Sequence, residues 1–226
     1  LAKRKKTYDF PHNIHVTTGK NKKERIIKAI ECLAGSIRLC MSVQSMDDDV
    51  LKNIRRSNIS VEEMMGLAPA IKNSGLDTTS EVILGLPGET FETHLQSLRA
   101  LLNANMDHIL VYSCMVLIGS QMDTPEQRKK WELKTKFRIL VKDFAKLSNG
   151  RKAIEIEEVV IGSNTMTFED YLNLRSIDFA IYASNTIPIF KPLLKFLREH
   201  KIDLTELFHR SIKQAINNTS IDKTFK

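Results

Sequence analysis

Cysteine is scarce in this sequence: Cys32, Cys40 and Cys114 are the only three in 226 residues. Their separations of 8 and 74 residues fit no zinc or iron–sulfur ligand pattern. An odd number also argues against a disulfide framework. They read as small buried hydrophobes, Cys32 in a helix pattern and the other two in strands. Long hydrophobic runs are missing too. No apolar stretch approaches the roughly 18 residues a membrane span needs, and no signal-peptide pattern is present. The expectation is a cytoplasmic protein without a membrane partner. Repeats and low-complexity segments are absent. The chain opens at Leu1 with no initiator Met, which fits a truncated or excised chain.

What is present is ordinary for a globular protein: 42% hydrophobic residues and enough length for one core plus an appendage. The net charge is +7, much of it in Lys3-Arg4-Lys5-Lys6 and in the stretch from Arg128 to Lys142. A solvated basic linker over residues 1–11 and one basic helix face explain this charge more simply than a nucleic-acid surface does.

Along the chain, Ile14 to Thr18 reads as a strand, followed by a helix capped by Asn21 with Ile26, Ile27, Ile30 and Leu33 inward. Ile37 to Val43 is a second strand, and Asp47 caps a short helix carrying Val50, Leu51 and Ile54. Ser60-Val61-Glu62-Glu63 is a capping box opening a further helix with Met64, Leu67, Ala68 and Ile71 inward. Thr79 to Leu84 is a third strand, and Thr90 caps a helix with Leu95, Leu98, Leu101 and Leu102 as its stripe. Ile109 to Leu117 is a fourth. This alternation demands a parallel sheet. After Pro125 the pattern predicts a basic amphipathic helix to about Leu147, burying Trp131, Phe137, Leu140, Val141 and Phe144. A turn at Ser148-Asn149-Gly150 follows, then a strand from Ala153 to Ile161. Helices begin after Thr167, at Pro188 and at Asp203.

Two of these strands end in polar or glycine-rich residues before a helix, at Ser42-Val43-Gln44-Ser45 and at Leu84-Gly85-Leu86-Pro87-Gly88-Glu89-Thr90. In parallel α/β folds that junction faces the ligand site. With Val50-Leu51-Lys52-Asn53-Ile54-Arg55-Arg56 between them, these segments resemble radical S-adenosylmethionine (SAM) enzymes. Thr18-Gly19-Lys20-Asn21, Glu155 to Val160 and Thr165 to Tyr171 resemble the subgroup that carries a cobalamin-binding domain. The family's Cys-x-x-x-Cys-x-x-Cys cluster motif is absent.

The resemblance implies an α/β fold: residues 12–125 as the C-terminal part of a partial (β/α)6 TIM-like barrel, with 126–226 as a mostly helical domain. It implies SAM and a [4Fe–4S] cluster as cofactors, with cobalamin as a third candidate. The cluster ligands and any cobalamin domain would then lie outside this chain, in a missing N-terminal half. The intact enzyme would cleave SAM reductively and carry out radical chemistry, such as methyl transfer, on an unknown substrate. The fragment alone would be inactive. Two other readings stay open, a cofactor-free α/β binding or scaffold module and an RNA-modifying member of the family.

By the same resemblance, Ser42 and Gln44 would contact the SAM ribose, where amide and hydroxyl groups suit a diol, and Ser45 beside them is a further cofactor-binding candidate. Arg56 would bind its carboxylate. Gly85, Pro87 and Gly88 would let the cofactor approach backbone. Ile83 would pack the adenine, although Glu81 replaces the first glycine of the family's Gly-x-Ile-x-Gly-x-x-Glu pattern and core packing fits Ile83 as well. Lys20, Asn21, Glu81 and Tyr112 are candidates for the substrate wall; a helix cap explains Asn21 equally, and core is the default for Tyr112. His12, His15 and His94 share no metal spacing and read as structural or surface residues.

Overall fold

Consecutive parallel pairing organises the first half of the chain. The computed structural model describes residues 1–12, 14–17, 25, 28–29, 32–33, 37–57 and 78–217. The strands are β1 (Ile14–Thr17), β2 (Ile37–Gln44), β3 (Thr78–Leu84) and β4 (His108–Ser113), and they lie in the order β1-β2-β3-β4, all parallel. Unbroken sequential order is how a (β/α) barrel winds, and it lacks the reversal of a doubly wound sheet. The alternating α/β reading thus matches the observed architecture.

Helix α3 (Phe91–Asn103) covers one face of the sheet; α1 (Ala2–Tyr8) and α2 (Asp48–Asn53) precede it. Thr90 and Thr93 form a reciprocal capping box that starts α3, and Asn105 with φ +55° follows its end. Leu98, Leu101 and Leu102 on α3 are buried against Val43, Val82 and Ile109 of three strands. Burying each leucine fully is worth about 1.5–3 kcal/mol. Along β3 the burial alternates, so Ser80, Val82 and Leu84 face the helices while Thr79, Glu81 and Ile83 face the other side. That second face stays open enough to leave Tyr112 of β4 51% exposed.

The second half begins with a departure from expectation. The helix α4 (Pro125–Lys130) stops after six residues, and Lys134–Lys146 is a strand, β5, paired antiparallel with β6 (Lys152–Gly162). Thr135, Phe137 and Ile139 alternate with Lys134, Lys136 and Arg138, and this period of two, rich in strand-forming residues, prevails over the helical reading. The turn at Ser148-Asn149-Gly150 closes the hairpin: Asn149 Oδ1 accepts from Arg151 N at 3.0 Å, and Gly150 supplies φ +83°. Arg138 and Glu157 pair across the strands. Phe137 and Phe144, expected inside, are 68% and 77% exposed. Trp131 and Leu140 are half-buried, and the side chain of Val141 lies outside the described residues.

Helices α5 (Phe168–Ile181), α6 (Lys191–Glu199) and α7 (Leu204–Asn217) follow, with a π-helical turn over Tyr182–Thr186. Thr167 with Asp170 caps α5, and Asp203 Oδ1 caps α7 by accepting from Thr205 N and Glu206 N. Ile177, Ile181, Leu194, Leu204 and Phe208 join the same core as α3.

Smaller corrections follow. Residues 1–11 are not simply a linker, since Ala2–Tyr8 is helical with Lys5 Nζ 2.7 Å from Asp9 Oδ1. The fourth strand ends at Ser113, because Cys114 and Val116 turn to bond β6. Cys32 is exposed, contrary to the buried reading, while Cys114 is buried and its thiol is pushed up to about 12. The capping-box helix from Ser60 lies outside the described residues. So does most of the helix after Asn21.

Candidate functional site at the strand ends

Strand β2 ends at Gln44 with φ +62°, a left-handed conformation that is costly for a residue with a side chain. Ser45 follows, fully buried, its Oγ accepting from Asp47 N at 3.2 Å. Asp47 Oδ1 then caps α2 by accepting from Asp49 N and Val50 N. The helix ends through Arg55 at φ +54°, and Arg55 and Arg56 line the same cleft as Gln44.

Strand β3 ends in a loop held by left-handed glycines, Gly85 at φ +92° and Gly88 at φ +84°. A Cβ on Gly88 would lie 2.5 Å from Asn53 Nδ2. That amide donates to Pro87 O at 3.1 Å, clamping α2 to the loop. Between these elements lies a cleft of about 380 Å³, with Gln44, Arg56, Ile83, Pro87, Met115 and Met122 among the residues that line it.

Four of the eight residues expected to bind cofactor are therefore brought together. Gln44 contributes a specific feature: its Oε1 is buried and has no hydrogen-bond partner. Such an acceptor wants a donor, and a ribose hydroxyl is one. The cleft residues thus fit a nucleoside carrying a carboxylate, with Arg56 at the exposed rim. The other four do not line it. Ser45 builds the turn, and Gly88 is packed under Asn53 and Trp131. Gly85 lies against Val160 and Cys114 and gives its N–H to Glu89, while Ser42 bonds Glu81 on the open face of the sheet.

Glu81 is the hub of that open face. Cys40 Sγ lies 3.6 Å from Ser42 Oγ, and Ser42 donates to the Glu81 carboxylate. Burial and then the Glu81 charge hold the Tyr112 phenol above its ordinary value. Lys20 and Asn21 lie outside the described residues.

An iron–sulfur cluster does not fit here. Among the described residues no three His, Cys, Asp or Glu side chains gather as metal ligands.

Beneath the loop sits a charge network that sequence reading missed. Glu89 Oε2 accepts from Gly85 N at 2.6 Å and Leu86 N at 3.3 Å, while Oε1 lies 2.9 Å from His94 Nδ1. His94 Nε2 lies 3.3 Å from Asp178 Oδ1 on α5, and Arg175 approaches Asp178 Oδ2 at 3.9 Å. Burial works against an imidazolium here, but the Glu89 charge and the bond to Asp178 outweigh it and raise His94 to about 10. Thr165 Oγ1 adds a bond to Glu89 O at 2.8 Å, so the loop is anchored to the second half of the chain twice. One signal for Asp178 was available. It falls at core spacing with Leu174, Ile177 and Ile181, where a lone carboxylate needs a partner.

Arg128 forms the other anchor. It makes a bidentate pair with Glu158 at 2.8 and 2.6 Å and bonds Asp123 at 2.9 Å, tying α4 and the Ser120–Asp123 turn to the hairpin.

Comparison with known proteins bears on the fold and on sequence similarity. No family model matches the chain. A cobalamin-dependent radical SAM methyltransferase of Streptomyces tokunonensis, TokK, is 30% identical over 142 residues, covering 60% of this chain and 20% of that protein. The 2-(S-pantetheinyl)-carbapenam-3-carboxylate methyltransferase of Streptantibioticus cattleyicolor is 26% identical over 219 residues, covering 93% of this chain and 31% of that one. The chain thus spans between a fifth and a third of these relatives. Among solved structures, the radical SAM methyltransferase TsrM of Kitasatospora setae, with tryptophan and a SAM analogue bound, matches over 80% of this chain and 39% of its own, at TM-score 0.51 and 13% identity. That match speaks to the fold. In sequence the chain is thus similar to cobalamin-dependent radical SAM methyltransferases, and in fold to the barrel of a radical SAM methyltransferase.

Proposed function

We propose that this chain forms the SAM-binding side of a cobalamin-dependent radical SAM methyltransferase that acts on a small molecule in the cytoplasm. The observation that carries the reading is the buried, unpartnered Gln44 Oε1 in a cleft shared with Arg56, Ile83 and Pro87. Gln44 would accept from the ribose, Arg56 would pair with the methionine carboxylate, and Ile83 would pack the adenine. Ser42, Glu81 and Tyr112 would form part of the substrate wall. SAM, once bound, supplies the methyl group and the radical chemistry. The chain's own residues bind and orient it. In this reading the cluster ligands and the cobalamin site lie in an N-terminal half of the same polypeptide. Residues 12–125 supply barrel strands and 126–226 brace the strand-end loops.

The test is calorimetric titration of the chain, joined to its upstream sequence, with S-adenosylhomocysteine. Charge-assisted bonds to a carboxylate are worth about 1.5–3 kcal/mol, so Arg56→Ala should weaken binding roughly tenfold or more. Gln44→Ala should weaken it less, by a neutral hydrogen bond. Wild-type affinity in both variants would remove the cleft from the cofactor site.

A further inference from the structure

At the opposite end of the sheet lies a second cavity that the proposed function leaves unused. It also measures about 380 Å³, and it opens between the α3–β4 turn at Asn105–Asp107, the π-helical turn and α6. Asp107 enters β4 at its N-terminal end, whereas the cofactor cleft lies past its C-terminal end. Six residues of strand separate the two by roughly 20 Å.

The cavity is built around Arg198. Its Nη2 donates to Asn185 Oδ1 at 3.1 Å. Asn185 is itself buried, and its Nδ2 donates to Met106 O at 2.8 Å and Asp107 O at 3.1 Å, which fixes the direction of the Oδ1 that Arg198 meets. The guanidinium plane is thereby set in advance. Arg198 Nε, however, is buried without a hydrogen-bond partner.

Charges around it are unevenly matched. Lys191 Nζ lies 3.6 Å from Asp107 Oδ1 and Lys195 Nζ lies 3.8 Å from Glu199 Oε1. Arg198 has no such carboxylate among the described residues. A partly desolvated guanidinium with a bare N–H is costly, and burial works against its charge, with Asp107 opposing that effect. The floor is apolar, formed by Met106 and Leu194 at 1% and 3% exposure.

We infer that this cavity is an oxyanion site for a phosphate group held by the pre-set Arg198 fork, with Lys191 and Lys195 at its rim and an apolar floor beneath. The planar guanidinium offers paired N–H donors to two oxygens of one anion. Asp107 and Glu199 also line the cavity and each holds one lysine, so the net excess is the Arg198 charge. Phosphate is favoured over carboxylate because the space exceeds a carboxylate's needs. An organic substituent would rest on Leu194.

Titration of the 226-residue chain with inorganic phosphate and with n-butyl phosphate, at constant ionic strength, tests this. Saturable one-to-one binding is expected. Tighter binding of butyl phosphate assigns a phosphate monoester; equal affinity assigns inorganic phosphate. Arg198→Lys keeps the charge but loses the fork and should weaken binding about tenfold. Lys195→Glu, at a residue 78% exposed, should also weaken it without disturbing the fold. Arg151→Glu at the exposed hairpin turn makes the same change in net charge and should leave binding intact. The site is overturned if neither compound saturates, if Arg198→Lys and Lys195→Glu bind as wild type, or if Arg151→Glu weakens binding as much as Lys195→Glu.

Discussion

His94 Nδ1 lies 2.9 Å from Glu89 Oε1, and neither side chain has any exposed surface. Because Glu89 also takes the N–H groups of Gly85 and Leu86, the imidazole stabilises the shape of the strand-end loop through that carboxylate. Removing one member of a buried ionic cluster strands the others in a medium that solvates them poorly, at a cost of about 3–5 kcal/mol. His94→Leu should therefore lower the stability of the chain by that amount in urea unfolding. His12→Leu, at an exposed histidine, should leave it within about 0.5 kcal/mol. Equal effects from the two substitutions would mean that the cluster carries no special weight.

The same histidine makes a pH prediction. Its folded value, about 10, lies above the ordinary 6.5. A raised value means that the folded state binds the proton more tightly, so the stabilisation is complete below about pH 6.5 and is lost as pH rises through about 10. Unfolding free energy measured from pH 6 to pH 10 should decline across that window. The difference between wild type and His94→Leu isolates this contribution from the lysines and tyrosines that titrate nearby. A difference that stays constant with pH would show that His94 holds no extra proton.

Gly88→Ala tests the clamp between α2 and the loop. At φ +84° a side chain costs about 1–2 kcal/mol by itself. The added Cβ also meets Asn53 Nδ2, which must abandon Pro87 O. Since Asn53 and Pro87 both line the cleft, affinity for S-adenosylhomocysteine, the ligand proposed for it, should fall together with stability. Gly119→Ala is the natural control: its φ is +78°, yet nothing lies within 4 Å of the new Cβ. It should show the conformational cost alone and leave binding unchanged.

Local signals made much of this architecture legible. Asp47, Thr90 and Thr167 each announced a helix start, and each side chain accepts from the backbone N–H groups expected of a cap. Strand ends at Gln44 and Gly85 marked the cleft. The misreading of residues 131–147 has a physical origin: Lys134 to Lys146 satisfies a period of two as well as an amphipathic helical period. The choice between them rests on β6, whose Ile156 and Glu157 face Ile139 and Arg138. That information lies some twenty residues away. The Glu89–His94–Asp178 cluster was hidden for the same reason, since Asp178 is 84 residues from the histidine it meets.

Tyr112 offers a probe of the open sheet face that needs no cofactor. Burial raises its phenol, and the Glu81 carboxylate adds to the rise because a negative neighbour disfavours a phenolate. Glu81→Gln removes the charge while keeping the shape, so the Tyr112 value should move down towards the ordinary range. Ring-carbon NMR of labelled tyrosine resolves it from Tyr8, Tyr171 and Tyr182. Ser42→Ala separates charge from geometry: it removes the donor to Glu81 but leaves the carboxylate in place, so Tyr112 should stay raised. If Glu81→Gln leaves the phenol unmoved, Glu81 does not govern the electrostatics of this face. Its place on the proposed substrate wall would then rest on position alone.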